Sequence, residues 1–253
     1  MMATDLELLE IEIETLWATD DRGRLVKSRG WQGRTAPHLV IAVCNDGQIA
    51  AIGSVVPDAL AVELEAAVAG GSPLPPATPP TSIARCEQLL RDSLGPVELS
   101  SGPSYVIPPS TTFESAAEMH RSDGASTEAL RNYVVNRAAW SAEEWNLLLD
   151  GIYDPWTVAS IGERVIAICH TARLADRGSE AGVWTDPDFR GQGHAAAVTA
   201  AWASLLAPSG RHLFYSTSAD NRSSQRVAAR LGLRVIGWMW KFSGRQTAPT
   251  SRS

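Results

Sequence analysis

The stretch Ala181-Gly182-Val183-Trp184-Thr185-Asp186-Pro187-Asp188-Phe189-Arg190-Gly191-Gln192-Gly193-His194-Ala195-Ala196-Ala197-Val198 decides how this 253-residue chain reads. Ala181–Thr185 has the composition of an apolar strand, and Asp186-Pro187-Asp188 is a turn. From Ala195 through Trp202 the alanine-rich run is helical in composition. A strand, a glycine-bearing loop and a helix N-terminus together make an anion cradle. Glycines let the backbone approach a phosphate closely, and the first N–H groups of the helix point at it without intrahelical partners. Arg190 adds a fixed positive charge at the loop entrance. Taken alone, the glycine pair also fits an ordinary strand-to-helix turn.

A second segment narrows the choice. Leu213-Phe214-Tyr215-Ser216 reads as a strand, and Asn221-Arg222-Ser223-Ser224 opens a helix that closes on Leu231-Gly232-Leu233. The Arg-x-x-Gly-x-Ala loop and helix, the strand, and the Asn-x-x-Ser helix with its Leu-Gly-Leu end resemble the GNAT superfamily of acyl-CoA-dependent N-acetyltransferases. The resemblance is specific over about 180–242 and extends back to about 126. It implies a mixed, largely antiparallel sheet flanked by helices (α/β, or α+β), preceded by a smaller α/β N-terminal region. It also implies acetyl-CoA as cosubstrate and an amine-bearing acceptor, on a small molecule or a protein. The pyrophosphate would sit on the loop, which makes Thr185, Arg190, Gly191, Gln192, Gly193, His194 and Ala195 the expected contacts. Asn221 and Ser224 stand behind them, and Asn221 is at the same time an ordinary helix cap.

The resemblance also directs attention to a base. Family enzymes often carry a Glu near the start of the strand before the loop, and Glu180 stands there. His170, at the end of the preceding strand, is the other candidate. Each has a plain alternative, Glu180 as a surface residue after Arg177-Gly178-Ser179 and His170 as a histidine satisfied by its neighbours. The Tyr that protonates the leaving thiolate in many relatives would fall seven residues after Asn221, where this chain has Ala228. Either Tyr215 or Ser224 replaces it, or the thiolate leaves unassisted, as a thiol of pKa ~8.5 allows. A catalytically silent acyl-CoA-binding or regulatory module therefore stands beside the transferase reading.

Charge supports a polyanionic ligand. From Arg190 onward there are nine Arg or Lys and one acid, Asp220, although the whole chain carries −6. Such a segment suits a basic wall around a phosphate-bearing cosubstrate, and the acidic remainder suits a cationic acceptor. The basic residues are not interleaved with aromatic platforms, which argues against nucleic acid. Trp140, Trp145 and Trp156 cluster before the loop, as core or as an aromatic wall for an ammonium group. Cys44, Cys86 and Cys169 are widely spaced, odd in number and without a CxxC pair, so neither a disulfide framework nor a metal site is expected. No apolar run reaches the length of a membrane span, and the acidic start Met1–Glu7 lacks a secretory pattern, so a cytoplasmic location is expected. A homodimer is left open.

The chain divides by pattern into residues 1–108, residues 126–243 and a polar tail, 244–253, expected to be disordered. The first unit reads as a helix over Leu6–Trp17 and a hairpin turning at Asn45-Asp46-Gly47. A helix after Pro57, a Pro-rich connector from Gly70 to Pro80, a helix after Ser82 and a short strand Ser104–Ile107 follow. It has no second glycine loop opening a helix, so it is expected to cover the acceptor side and not to bind a second acetyl-CoA. The later unit reads as a helix over 128–139, a shorter one capped by Ser141, and a hairpin turning at Ile161-Gly162. The strands and helices already quoted complete it.

Overall fold

A computed structural model describes residues 3–30, 33–69, 71–124 and 127–244. The chain begins with helix α1 (Asp5–Leu16), the small hairpin β1 (Trp17–Thr19) and β2 (Leu25–Ser28), and the hairpin β3 (Leu39–Cys44) and β4 (Gly47–Ile52). Helices α2 (Asp58–Ala69) and α3 (Ile83–Leu94) lead to β5 (Val97–Ile107), β6 (Glu118–Arg121), and helices α4 (Thr127–Leu130) and α5 (Ala142–Leu149). Then come β7 (Trp156–Ile161), β8 (Arg164–Leu174), β9 (Gly178–Thr185), α6 (His194–Leu206), β10 (His212–Ser216), α7 (Arg222–Arg230) and β11 (Arg234–Gly244).

Local chemistry sets several of these boundaries. Thr4 accepts the N–H of Glu7 while the Glu7 carboxylate accepts that of Thr4, a reciprocal cap that starts α1. Ser141 and Glu144 do the same for α5. The expected helix over 128–139 is not formed, because α4 stops at Leu130. Val134 instead pairs with the hairpin, donating its N–H to the Glu163 carbonyl and accepting that of Val165, and the Asn136 side chain accepts the N–H of Ala138. These competing bonds win over a marginal helical pattern. The expected short strand Ser104–Ile107 is only the end of eleven-residue β5. Pro103 makes the sequence read as interrupted. In a strand the N–H and C=O of one residue point the same way, and the Pro103 carbonyl faces Thr217, just beyond the end of β10. The N–H that Pro103 lacks would face that same side, so it costs no bond to β11.

Among the described residues nine strands form one sheet in the order β4-β3-β11-β5-β10-β9-β8-β7-β6. The last strand enters between β3 and β5, so the strands of residues 1–108 and those of the C-terminal unit share one sheet. Helices α6 and α2–α3 cover one face. Trp202, Val198 and Leu206 of α6 meet Tyr105, Tyr215 and Leu213, whereas Leu60, Leu64 and Leu90 meet Leu39, Ile41 and Phe242. The other face lies under α1 and α5, where Leu9 and Ile11 pack on Phe214 and Met239, and Trp145 and Leu148 on Trp156 and Ile168. On α6 the inward residue of the last turn is Leu206, with Leu205 only half-buried.

Every neighbouring pair in this sheet is antiparallel except β9 with β10. That parallel pairing covers Gly178–Glu180 against His212–Phe214 and then stops. Beyond it β9 continues to Thr185 on β8 alone, and β10 continues to Ser216 on β5 alone. The sheet therefore opens into a split, with Glu180 at its apex and the glycine loop at its mouth.

Candidate active site

The loop Arg190–Gly193 follows a single 3-10 turn, Pro187–Phe189, whose Asp186 side chain accepts the Asp188 N–H. Arg164 holds this corner through ion pairs to buried Asp186 at 3.1 Å and to Asp188 at 2.8 Å. Gly193 takes φ +96° to start α6 and offers no side-chain cap. A Cβ there would adopt a disfavoured conformation and stand 3.1 Å from the Phe113 ring. The first intrahelical bond runs from the Ala197 N–H to the Gly193 carbonyl, so the N–H groups of His194, Ala195 and Ala196 have no acceptor within the helix. Arg230 of α7 donates to the Gly191 carbonyl at 3.1 Å and ties the loop to the second helix.

A cavity of about 490 Å³ opens between the N-termini of α6 and α7. Thr185, Arg190, Gly191, Gly193, His194 and Ala195 line it, with Asn221 and Ser224 opposite, whereas Gln192 is not part of its wall. Val183, Trp184, Phe189, Ala196, Tyr215, Ser223, Arg226, Val227 and Arg230 complete the lining. Of the basic residues in the C-terminal segment, Arg190, Arg226 and Arg230 face the cavity. Arg234 instead pairs with Asp5, and Arg211 with the Ala175 carbonyl. Asn221 accepts the Ser224 N–H and so caps α7 from within the cavity wall. His194 is buried against Phe189, with the Ser115 hydroxyl 3.2 Å from Nδ1, and shapes the loop from below. The Phe113–Ser115 contacts lie in a segment without local pattern, so nothing in the order of residues marks them. The basic lining of α7 is legible as a pair of Arg four residues apart, Arg226 and Arg230.

Glu180 and His170 both lie on the α1–α5 face, across the sheet from this helix pair. Glu180 is not a surface residue. It is 2% exposed, and its Oε1 accepts the Ser216 N–H at 3.0 Å and the Ser216 hydroxyl at 2.6 Å. The side chain thus spans the split where the backbone ladder has ended. Burial pushes its carboxyl up, while the Ser216 donors and Arg173 pull it partly back. His170 stands between Trp140 and Tyr153, both edge-on, with ring centroids 5.5 and 5.1 Å away. Burial drives its imidazole down to about 4, so the ring is neutral at pH 7. Its Cε1 lies 2.5 Å from where a Cβ on Gly182 would stand, so the strand can pass only as glycine. Trp145 and Trp156 are fully buried in the α5 core; Trp156 is the cross-strand neighbour of His170, and Trp140 meets the His170 ring edge-on.

Ala228 is buried under α7, so no phenol projects from that position. Tyr215 does line the cavity, with the Ser224 hydroxyl facing it; burial pushes its phenol up to about 12. Cys169 is buried with its thiol driven far up, which removes it as a nucleophile. Cys44 and Cys86 are buried free thiols as well. Among the described residues no helix is long and apolar enough to cross a membrane, and no group of His, Cys, Asp and Glu could hold a metal ion.

The acetyltransferase (GNAT) domain family model matches residues 108–234, half of the chain, and the chain belongs to that family. Among curated proteins none matches it. It is similar in fold to an acetyltransferase of the GNAT family from Colwellia psychrerythraea, at 14% identity over 95% of this chain and 96% of that one, with a TM-score of 0.49. A GCN5-related N-acetyltransferase from Kribbella flavida gives 14% identity over 99% of both chains and a TM-score of 0.48. A GNAT-family acetyltransferase structure from Novosphingobium aromaticivorans gives 20% identity over 59% of this chain and 66% of that one, with a TM-score of 0.43.

Proposed function

We propose that this protein is an N-acetyltransferase that moves the acetyl group of acetyl-CoA to a primary amine. The observation that carries the reading is the split between β9 and β10, with free helix N–H groups and three arginines at its mouth and a buried carboxylate at its apex. The residues present fit the cosubstrate. The cradle at Gly191–Ala196 suits a pyrophosphate, and the unpaired strand edge Ala181–Thr185 suits the amides of a pantetheine arm.

In transfer the amine nitrogen forms a bond to the acetyl carbon, and the carbon–sulfur bond breaks. The acceptor ammonium gives one proton to the Glu180 carboxylate before attack, and Glu180 later releases it to solvent; the nitrogen's second proton restores the Tyr215 phenol once that phenol has protonated the departing thiolate. Glu180 suits the first role better than His170. An imidazole driven to about 4 holds a proton poorly, whereas a carboxylate raised by burial holds one better than in water. Tyr215, kept protonated inside the cavity, is the donor to the thiolate in place of the phenol missing at Ala228. Residues 1–108 wall the acceptor side, with α1 packed over Gly178.

Ala228 favours a second reading, in which acetyl-CoA binds and no transfer follows. Thiol release from acetyl-CoA with a panel of amines separates the two. Amine-dependent release with an acetylated product supports the transferase, and binding without release supports the silent module.

A further inference from the structure

The cavity does not account for the most heavily buried acid in the molecule. Glu12 of α1 is 0% exposed, and neither carboxylate oxygen has a hydrogen-bond partner among the described residues. Glu180 Oε2 is likewise buried and unpartnered. Two glutamates from different elements thus leave three acceptor atoms bare in one interior region. Such atoms cost stability unless a ligand satisfies them.

The fold explains why they meet. Ile11 and Thr15 of α1 lie against the α-carbon of Gly178 on β9, and residue 180 projects from the same face two positions along. Glu12 sits one residue from Ile11 on that helix. The surrounding charged and polar groups are Lys241 of β11, Arg173 of β8, Ser104 of β5 and Ser216 of β10. Ser216 satisfies Glu180 Oε1 only, and the Ser104 hydroxyl faces Glu12 without closing a hydrogen bond to it. Lys241 forms no ion pair within 4 Å among the described residues.

We infer that Glu12 and Glu180 together form the acceptor's amine niche, which takes the ammonium tip of a primary amine carried on an unbranched methylene chain. Three bare acceptors match the three N–H donors of an alkylammonium, whereas a secondary or tertiary amine would leave acceptors unmet. Both glutamates are almost wholly enclosed, which favours an ammonium tip on a slender neck over a ring or a branched carbon. Burial and the Glu180 charge push the Glu12 carboxyl well up, so it holds a proton in the free protein and gives that proton up as the ammonium arrives, which frees both of its oxygens to accept. Helix α1 is then part of the acceptor site and not only a cover. This inference rests on the transferase reading above.

The test uses the full chain with saturating acetyl-CoA and three probes: butylamine, N-methylbutylamine and cyclohexylamine. The wild type is expected to acetylate butylamine at least tenfold more efficiently than the other two. Glu12→Gln is expected to raise the butylamine KM at least tenfold and to leave the acetyl-CoA Kd from calorimetry within twofold. Glu12→Met, which removes the bare carboxylate, is expected to raise Tm while activity falls, as a site residue costing stability would. That gain over the wild type should grow from pH 5 to pH 8, because a raised carboxyl stabilises the fold only while it stays protonated. A butylamine KM within twofold of wild type in Glu12→Gln, or a lowered Tm in Glu12→Met, overturns the niche and leaves the transferase reading standing. A wild type that binds acetyl-CoA but acetylates none of the probes overturns the niche as described, and loss of all amine-dependent thiol release overturns the transferase reading with it.

Discussion

Replacing Glu180 by Gln tests the proton-accepting role, because the amide keeps both Ser216 contacts of the side chain. Glu180 Oε1 accepts from the Ser216 N–H and hydroxyl at 3.0 and 2.6 Å, and the amide oxygen of Gln can accept both. The side chain keeps its length and its place in the split, and it loses its basicity together with the bare acceptor at Oε2. Two charge-assisted hydrogen bonds become neutral ones, at a cost of about 1 kcal/mol each. A buried charge is removed at the same time, which returns a similar amount, so the net stability change is within about 1 kcal/mol, or roughly 4 °C in Tm. Glu180 does not line the cavity, so acetyl-CoA affinity is expected to change less than twofold. Turnover is expected to fall by roughly two to four decades, about 3 to 5 kcal/mol in activation free energy. The assay is thiol release at saturating acetyl-CoA, with binding measured in parallel by calorimetry. Near-wild-type turnover would refute the assignment. Loss of turnover in His170→Ala together with activity in Glu180→Gln would transfer the role to His170.

The neighbouring positions give three more expected outcomes. Gly182→Ala places a methyl into the His170 ring and is expected to cost roughly 1–3 kcal/mol; in a His170→Ala background the same change should cost less than half as much in a thermal-melt double-mutant cycle. Tyr215→Phe is expected to lower kcat about tenfold or more with little change in acetyl-CoA Kd, and an unchanged kcat would mean that the thiolate takes its proton from solvent. Because the folded His170 is pushed down to about 4, its contribution to stability is complete above its unfolded value near 6.5 and is lost as pH falls from there through 4. The drop in Tm between pH 7 and pH 4.5 should therefore be smaller in His170→Gln than in the wild type.

Features that rest on a few adjacent residues are legible in the amino-acid order itself. The Thr4 and Ser141 caps, the Asn45-Asp46 hairpin and the Arg190–Ala195 loop each carry their geometry in local chemistry, and the sheet class follows from the order of such pieces. Features set by tertiary pairing are not legible in this way. Val134 reads as helical until the 156–174 hairpin offers it a carbonyl, and β5 looks broken until β10 is found to end beside Pro103. Glu180 is visible through its place before the loop, but its burial is not, because Ser216 reaches it from a different strand. Glu12 is hidden among Glu7, Glu10 and Glu14 on one acidic helix. Its position four residues after Leu8 and four before Leu16 places it on the buried stripe, and that spacing is the available signal.

One claim underlies the others: the cavity between α6 and α7 holds acetyl-CoA. Calorimetry of acetyl-CoA on the wild type and on the Arg190→Ala, Gly193→Val double variant tests it most directly. Removing the arginine takes away a fixed charge at the loop, and valine at φ +96° forces the backbone out of its cradle against Phe113. The expected result is one molecule bound per chain in the wild type and a loss of affinity of at least a hundredfold in the variant, with the folded state retained by circular dichroism. Unchanged affinity in the folded variant, or two molecules bound per wild-type chain, would contradict it.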